Sequence, residues 1–187
     1  MNPTAAIIIA FIVGLAFGIA IMALALERRS RRLKNRFGPE YERVVTEAGD
    51  RRSAEAVLER RERRVQKLHL QTITPADRAQ FQDRWRQIQT EFVDDPSRAL
   101  SKADRLTGEV MSAEGYPVRG FDERAADISV DHPVVVENYR EAHDVALRNS
   151  QGRASTEDLR RAMIHYRKLF EELVGQPDLA STGRTRI

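Results

Sequence analysis

Apolar residues recur at helical spacing through most of the second half of the chain. Phe81, Trp85, Ile88 and Phe92 follow one another at intervals of three or four residues, which places them on one face of a helix. Helix-starting signals precede three such stretches: Thr74-Pro75, Asp95-Pro96 and Ser155 with Asp158. The pattern predicts a compact antiparallel helical bundle over residues 71–174, with about four main helices and an aromatic stripe in its core.

The stretch from Tyr116 to Pro133 has the weakest periodicity in this bundle. Loops on rigid scaffolds carry functional residues more often than helices do. The first residues to test for a site are therefore Tyr116, Arg119, Asp131 and His132. The alternative interpretation is a helix connector in which Asp131 caps the next helix.

At the other end of the chain, Ala5 to Leu26 contains no charged or strongly polar side chain. As an α-helix this run reaches roughly 33 Å, enough to cross a ~30 Å hydrocarbon core. A cleaved signal peptide fits less well, because the preceding residues lack a basic side chain and the run is longer than a signal sequence needs. The pattern predicts a single transmembrane helix.

A basic segment closes the apolar run and predicts its orientation. The basic residues are Arg28, Arg29, Arg31, Arg32, Lys34 and Arg36. Because such residues are retained on the cytoplasmic side, we expect an inner-membrane protein with its N-terminus outside and its C-terminal domain in the cytoplasm. The lipid bilayer is then its first partner.

Two further hypotheses concern this part of the chain. Gly14 and Gly18 form a GxxxG pattern, which predicts close approach of two copies in a homodimer. The Arg28–Arg36 segment suggests binding of anionic lipid or nucleic acid. We do not expect nucleic-acid binding. The net charge of the chain is +3, but residues 1–36 alone carry +5, so residues 37–187 carry −2 and the predicted domain lacks the basic excess of a nucleic-acid binder.

Composition and motifs exclude several kinds of chemistry. The chain has no cysteine, so disulfides, thiol nucleophiles and thiolate metal sites are ruled out. No phosphate-binding glycine loop, nucleophile elbow or HExxH pattern is present. His143 and His165 fall on opposite flanks of the predicted final hairpin and should not share a metal. We expect no enzyme activity, no cofactor and no metal.

Four segments carry a resemblance to known proteins. They are RFGPEYERVV at Arg36–Val45, FVDDP at Phe92–Pro96, RAADISVDHP at Arg124–Pro133 and STEDLRRAMIHYRKLFEEL at Ser155–Leu173. With these the chain resembles an uncharacterised family of bacterial single-span, membrane-anchored helical proteins of unknown function. The resemblance implies a bacterial source and an anchored domain, and it transfers no catalytic or binding residue.

The predicted architecture is all-α. It consists of an anchor with a basic segment (residues 1–36), a charged helical stalk (37–70), the bundle (71–174) and a flexible tail (175–187). The leading functional hypothesis is a membrane-anchored, cytoplasmic protein-interaction or scaffold module with a protein partner. The alternatives are a small-ligand sensor or enzyme using residues 116–133, and lipid or nucleic-acid binding through Arg28–Arg36.

Overall fold

The structure, a computed structural model, describes residues 3–117 and 119–175, with side chains from residue 12 onward. Every regular element in these ranges is an α-helix, which confirms the all-α class. The helices are α1 (Pro3–Phe37), α2 (Pro39–Ala48), α3 (Arg51–Val65), α4 (Pro75–Asp94), α5 (Pro96–Ala113), α6 (Phe121–Asp131), α7 (Val136–Ser150) and α8 (Thr156–Val174).

The predicted membrane span needs correction. Among the described residues, no helix combines the length and the apolar character that crossing a bilayer requires. Within the predicted span, side chains are described only for residues 12–26, a stretch shorter than the about 20 apolar residues of a spanning helix. The transmembrane helix is therefore wrong for the part of the chain that the structure describes. The single-pass inner-membrane location and the topology inferred from it are wrong on the same ground.

The chain divides into two compact units, residues 1–59 and 60–187, and α3 crosses their boundary. In the first unit, Gly38 ends α1 and Pro39 opens α2, so the chain turns back on itself. The buried apolar side chains of this unit are Leu33, Phe37, Tyr41, Val44, Ala54 and Leu58. The predicted stalk, residues 37–70, contains α2 and α3, and the inner face of α3 is buried through Ala54 and Leu58.

A buried polar cluster holds the helices of the first unit together. The Ser30 hydroxyl donates to Glu55, and the Tyr41 hydroxyl donates to the same Oε1 at 3.0 Å. Arg51 lies 3.0 Å from that oxygen. Burial opposes ionisation of Glu55, yet the hydrogen bonds from Ser30, Arg51 and Tyr41 together hold the pKa of its carboxyl below its usual value.

The second unit is a helical bundle in which α5 packs against α4 and α8, and α7 packs against α8 and α6. Aromatic side chains pack in its core. Trp85 of α4 stacks on Phe170 of α8 with ring centroids 4.8 Å apart. Trp85 and Ile88 are buried, whereas Phe81 and Phe92 are partly buried against the core. The predicted aromatic stripe is thus confirmed as core.

Local capping chemistry sets the helix starts as predicted. The Thr74 hydroxyl accepts from the Asp77 amide at 3.1 Å, and the Asp95 carboxylate accepts from the Arg98 amide at 3.0 Å. At α8 the Ser155 and Asp158 side chains cap each other's backbone amides in a complete capping box. These bonds satisfy amides that the first turn of a helix leaves without partners.

The connection between α5 and α7 differs from the expectation. Asp131 is the last residue of α6, and α7 begins five residues later behind Val135, whose side chain forms no capping bond. The interpretation of Asp131 as the cap of the next helix is therefore wrong. The predicted flexible tail, apart from Gly175, lies outside the described residues.

Candidate functional site

Three separate chain segments of the second unit meet at one cleft of about 260 Å³. It is lined by Leu70, Gln71, Thr72, Glu114, Tyr116, Asp131 and His132. The Gln71 amide donates to the Glu114 carbonyl at 2.9 Å, and the Gln71 side chain donates to the Ala113 carbonyl at 2.9 Å. These bonds join the segment before α4 to the end of α5.

The close approach of these segments depends on Gly115. Its φ of 95° lies in the left-handed region that favours glycine. A Cβ at this position would lie 2.7 Å from the backbone carbonyl oxygen of His69, too close for any side chain. Gly115 therefore lets the chain turn away from α5 directly beside the cleft.

Two further side-chain contacts lie at the cleft, beside one carboxyl oxygen without a described donor. The Tyr116 hydroxyl donates to Asp131 Oδ2 at 3.1 Å, and His132 Nδ1 lies 3.1 Å from Glu172 Oε1 of α8. Glu114 Oε2 is buried and has no hydrogen-bond partner among the described residues. The cleft therefore holds an acceptor that the described protein atoms leave unsatisfied.

The surroundings of the cleft disfavour ionisation of Glu114 and Tyr116. Burial, followed by the charge of Asp131, raises the pKa of the Glu114 carboxyl to about 7. Burial and the same aspartate raise the pKa of Tyr116, so its hydroxyl stays protonated and remains a donor. Glu114 thus changes its charge near neutral pH.

The structure brings Tyr116, Asp131 and His132 together and leaves Arg119 outside the cleft. Arg119 lies 3.6 Å from Glu123, one turn further along the chain. Sequence reasoning missed Glu114. It also missed Leu70–Thr72, because nothing in the local pattern links this segment to residues more than forty positions away.

A second polar cluster lies inside the bundle and connects three helices. Asp104 of α5 accepts a hydrogen bond from the Tyr166 hydroxyl of α8 at 2.7 Å and lies 3.5 Å from His143 Nδ1 of α7. Burial opposes ionisation of Asp104, but the bonds from His143 and Tyr166 outweigh it and lower the pKa of the carboxyl. The Tyr139 hydroxyl nearby is buried without a described hydrogen-bond partner.

The two histidines of the final hairpin have different neighbours. The ring of His143 stacks on Phe121 of α6, with centroids 3.6 Å apart. His165 instead lies 2.7 Å from Asn138 Oδ1 and 3.0 Å from Glu141 Oε2, both on α7. Across the described residues, no group of three or more histidine, aspartate or glutamate side chains is placed to hold a metal ion.

Outside these clusters, the part of α1 between residues 12 and 26 is apolar and uncovered on all sides of the helix. Large apolar side chains of α1 between residues 12 and 26 are each 52–68% exposed. Five of them follow one another three or four residues apart: Ile12, Leu15, Ile19, Met22 and Leu26. We call these five the apolar face of α1. The spacing is that of the a and d positions of a coiled coil.

The basic segment that follows this face is largely paired with carboxylates. Arg29 lies 2.6 Å from Glu59, Arg31 lies 2.6 Å from Glu27, and Lys34 lies 2.6 Å from Glu42. These side chains are therefore engaged within the first unit instead of forming an unneutralised basic surface.

Comparison with known proteins found no match among family models, curated proteins or solved structures. The resemblance to an uncharacterised bacterial family remains a prediction.

Proposed function

We propose that the protein is a protein-interaction module that associates with a second copy of itself through the apolar face of α1. The observation that carries this proposal is the exposure of five large apolar side chains along one line of a helix. Contiguous apolar surface of this kind marks an interaction site, because leaving it in water costs free energy.

The position of this face supports a helical partner. The same line of positions continues along α1 as Ser30, Leu33 and Phe37, which are buried inside the first unit. Upstream, where α2 and α3 no longer cover it, the face borders a cleft of about 630 Å³. This cleft lies between α1 at Met22–Arg29 and the start of α3 at Arg51–Glu55. A helix laid along α1 would extend a packing surface that the fold already uses.

The test is the mass of the full chain as a function of concentration, measured by analytical ultracentrifugation. The chain should associate, and L15S/I19S/M22S should dissociate it. Each apolar side chain lost from the contact weakens association by roughly 1 kcal/mol. The three substitutions are present in both copies, so their effects add across the dimer. The dissociation constant should therefore rise by more than about 100-fold.

The matched control changes three equally exposed side chains on the other side of the same helix. Val13, Phe17 and Leu24 lie about 140–180° from the centre of the apolar face at about 100° per residue. V13S/F17S/L24S removes similar apolar area and should leave association intact. A monomer at every concentration, or equal loss in both triple variants, would contradict the proposal.

The glycine hypothesis predicts a different contact and is tested in the same assay. Around Gly14 and Gly18, no described atom lies within 4 Å of where a Cβ would sit, so larger residues fit without internal clash. G14L/G18L would block a close contact through that face. Loss of association in this variant, with association retained in L15S/I19S/M22S, would replace the apolar face with the glycine face.

A further inference from the structure

We propose that the cleft between α1 and α3 holds the first turns of α1 from the partner copy, so that the two α1 helices of the dimer run antiparallel. This arrangement rests on the association proposed above and adds the direction and register of the two copies. Three features of the first unit favour it: the side of α1 that α2 and α3 cover, the length of α1 that they leave free, and the position of the cleft.

The cover on α1 lies on the same side of the helix as its apolar face. At about 100° per residue, Ser30, Leu33 and Phe37 lie within about 40° of the centre of that face. All three are at most 3% exposed. The Ser30 hydroxyl lies 3.2 Å from the Tyr41 hydroxyl of α2 and donates to Glu55 of α3. From about residue 30 onward, α2 and α3 therefore occupy the side of α1 on which a partner helix would pack.

A parallel pair would collide with this cover. Because α1 is one helix from Pro3 to Phe37, a partner helix packed in parallel along the apolar face would continue past Leu26 into the space of α2 and α3. The partner's own α2 and α3 would meet them at the same level, since both copies carry these helices on the same side of α1. Close parallel packing through this face would require the first unit to open.

An antiparallel pair avoids the collision and fits the free length of α1. When antiparallel helices interlock through a and d positions, an a residue of one helix lies opposite a d residue of the other. Ile12 is then opposite the partner's Met22. In the same register the partner's Pro3, the first residue of its α1, is level with Arg31. The partner's α1 therefore begins where the cover of α2 and α3 begins, and its own α2 and α3 lie at the far end of the pair.

The cleft lies at this meeting point and has room for a helix. Its volume is about 630 Å³, and its walls are residues 22–29 of α1 and residues 51–55 of α3. A helix roughly 10 Å across fills about 420 Å³ per turn, so the cleft takes about one and a half turns. In the register above, these turns come from residues 5–12 of the partner, all of which are apolar. The partner copy would thus complete a packing site that one copy leaves open.

The direction of the helices is tested by disulfide cross-linking, because the chain has no cysteine of its own. Chains carrying I12C and chains carrying M22C are mixed, unfolded in urea, refolded together and oxidised with copper phenanthroline. We expect a disulfide between the two different chains and none in either variant alone. In one variant alone, the two cysteines would lie roughly 15 Å apart along the helix axis, beyond the reach of a disulfide.

The outcomes separate this arrangement from the association on which it rests. Cross-linking of I12C alone, or of M22C alone, would show a parallel pair and overturn the antiparallel arrangement. Ultracentrifugation of the same variants under reducing conditions reports on association itself. A monomer at every concentration would refute both proposals, whereas association without a disulfide between the two different chains would refute this arrangement only.

A pair of tryptophan substitutions tests the cleft. Ala23 lines it, so A23W fills the cleft with a bulky ring and should raise the dissociation constant at least tenfold. Ala20 is exposed on the same helix, about 120° from the centre of the apolar face, and the described lining of the cleft does not include it. A20W is therefore the matched control and should associate as the wild type does. Equal association of A23W and wild type would show that the partner does not enter the cleft.

Discussion

Replacing Glu114 with glutamine should make the protein more stable at pH 8 while leaving it unchanged at pH 4.5. The Glu114 carboxyl has a pKa of about 7 in the folded chain, against 4.5 as its ordinary value. Below pH 4.5 the carboxyl is protonated in both the folded and the unfolded chain. Between pH 4.5 and about 7 the unfolded chain releases this proton while the folded chain keeps it, so folding loses free energy over that range and no further above it.

The size of the effect follows from the shift and from partial solvent access. The difference between a pKa of about 7 in the folded chain and 4.5 as the ordinary value corresponds to about 3 kcal/mol at full weight. Glu114 is partly exposed, so solvent screening reduces the expected value to roughly 1–2 kcal/mol. Glutamine keeps the shape of the side chain and carries no charge at any of these pH values. The advantage of E114Q should therefore grow from near zero at pH 4.5 to this value at pH 8.

The assay is urea unfolding at several pH values, followed by tryptophan fluorescence. Trp85 is the single tryptophan of the chain and stacks on Phe170, so its signal reports on the second unit alone. E123Q, on the exposed surface of α6, is the matched control and should show no trend with pH. A difference between E114Q and wild type that does not change with pH, or a less stable E114Q at pH 8, would refute the reasoning.

Two further predictions use the same unfolding assay. Y166F removes the donor to partly buried Asp104 and should cost about 1–3 kcal/mol, whereas Y139F removes a hydroxyl without a described partner and should be neutral or slightly stabilising. Equal losses in the two variants would contradict this account of the cluster. S155A removes the hydroxyl half of the capping box with Asp158 and should cost about 1 kcal/mol, and S155D should recover most of that loss. If S155A is as stable as wild type, the cap contributes nothing to the bundle.

Local chemistry was readable from the sequence, because each signal lies within a few residues of the element it controls. Thr74, Asp95 and Ser155 were predicted as helix caps, and each accepts the expected backbone amide. The stripe around Trp85 was predicted as core for the same reason, since helical spacing alone places its members on one face. The prediction of a transmembrane helix in α1 was wrong. It rested on the hydropathy and length of an apolar run in the sequence, whereas no helix of the described residues is long and apolar enough to cross a bilayer.

Only the tertiary structure decided which distant residues share a cleft. Tyr116, Arg119, Asp131 and His132 were predicted together from a weakly periodic stretch. Arg119 lies outside the cleft and faces Glu123 instead. Glu114 acquired its raised pKa from burial and from Asp131, neither of which the sequence near it displays.

The sequence by itself determined the helical class, the helix starts and the core-facing stripes of the bundle, because caps and periodicity act over one or two turns. Tertiary packing decided the rest. It left the apolar face of α1 uncovered, while α1 residues further along the chain are buried, and it brought three separated segments to the ends of α5 and α6. Burial and charge at a site are sums over neighbours in space, so they appear only once the chain is folded.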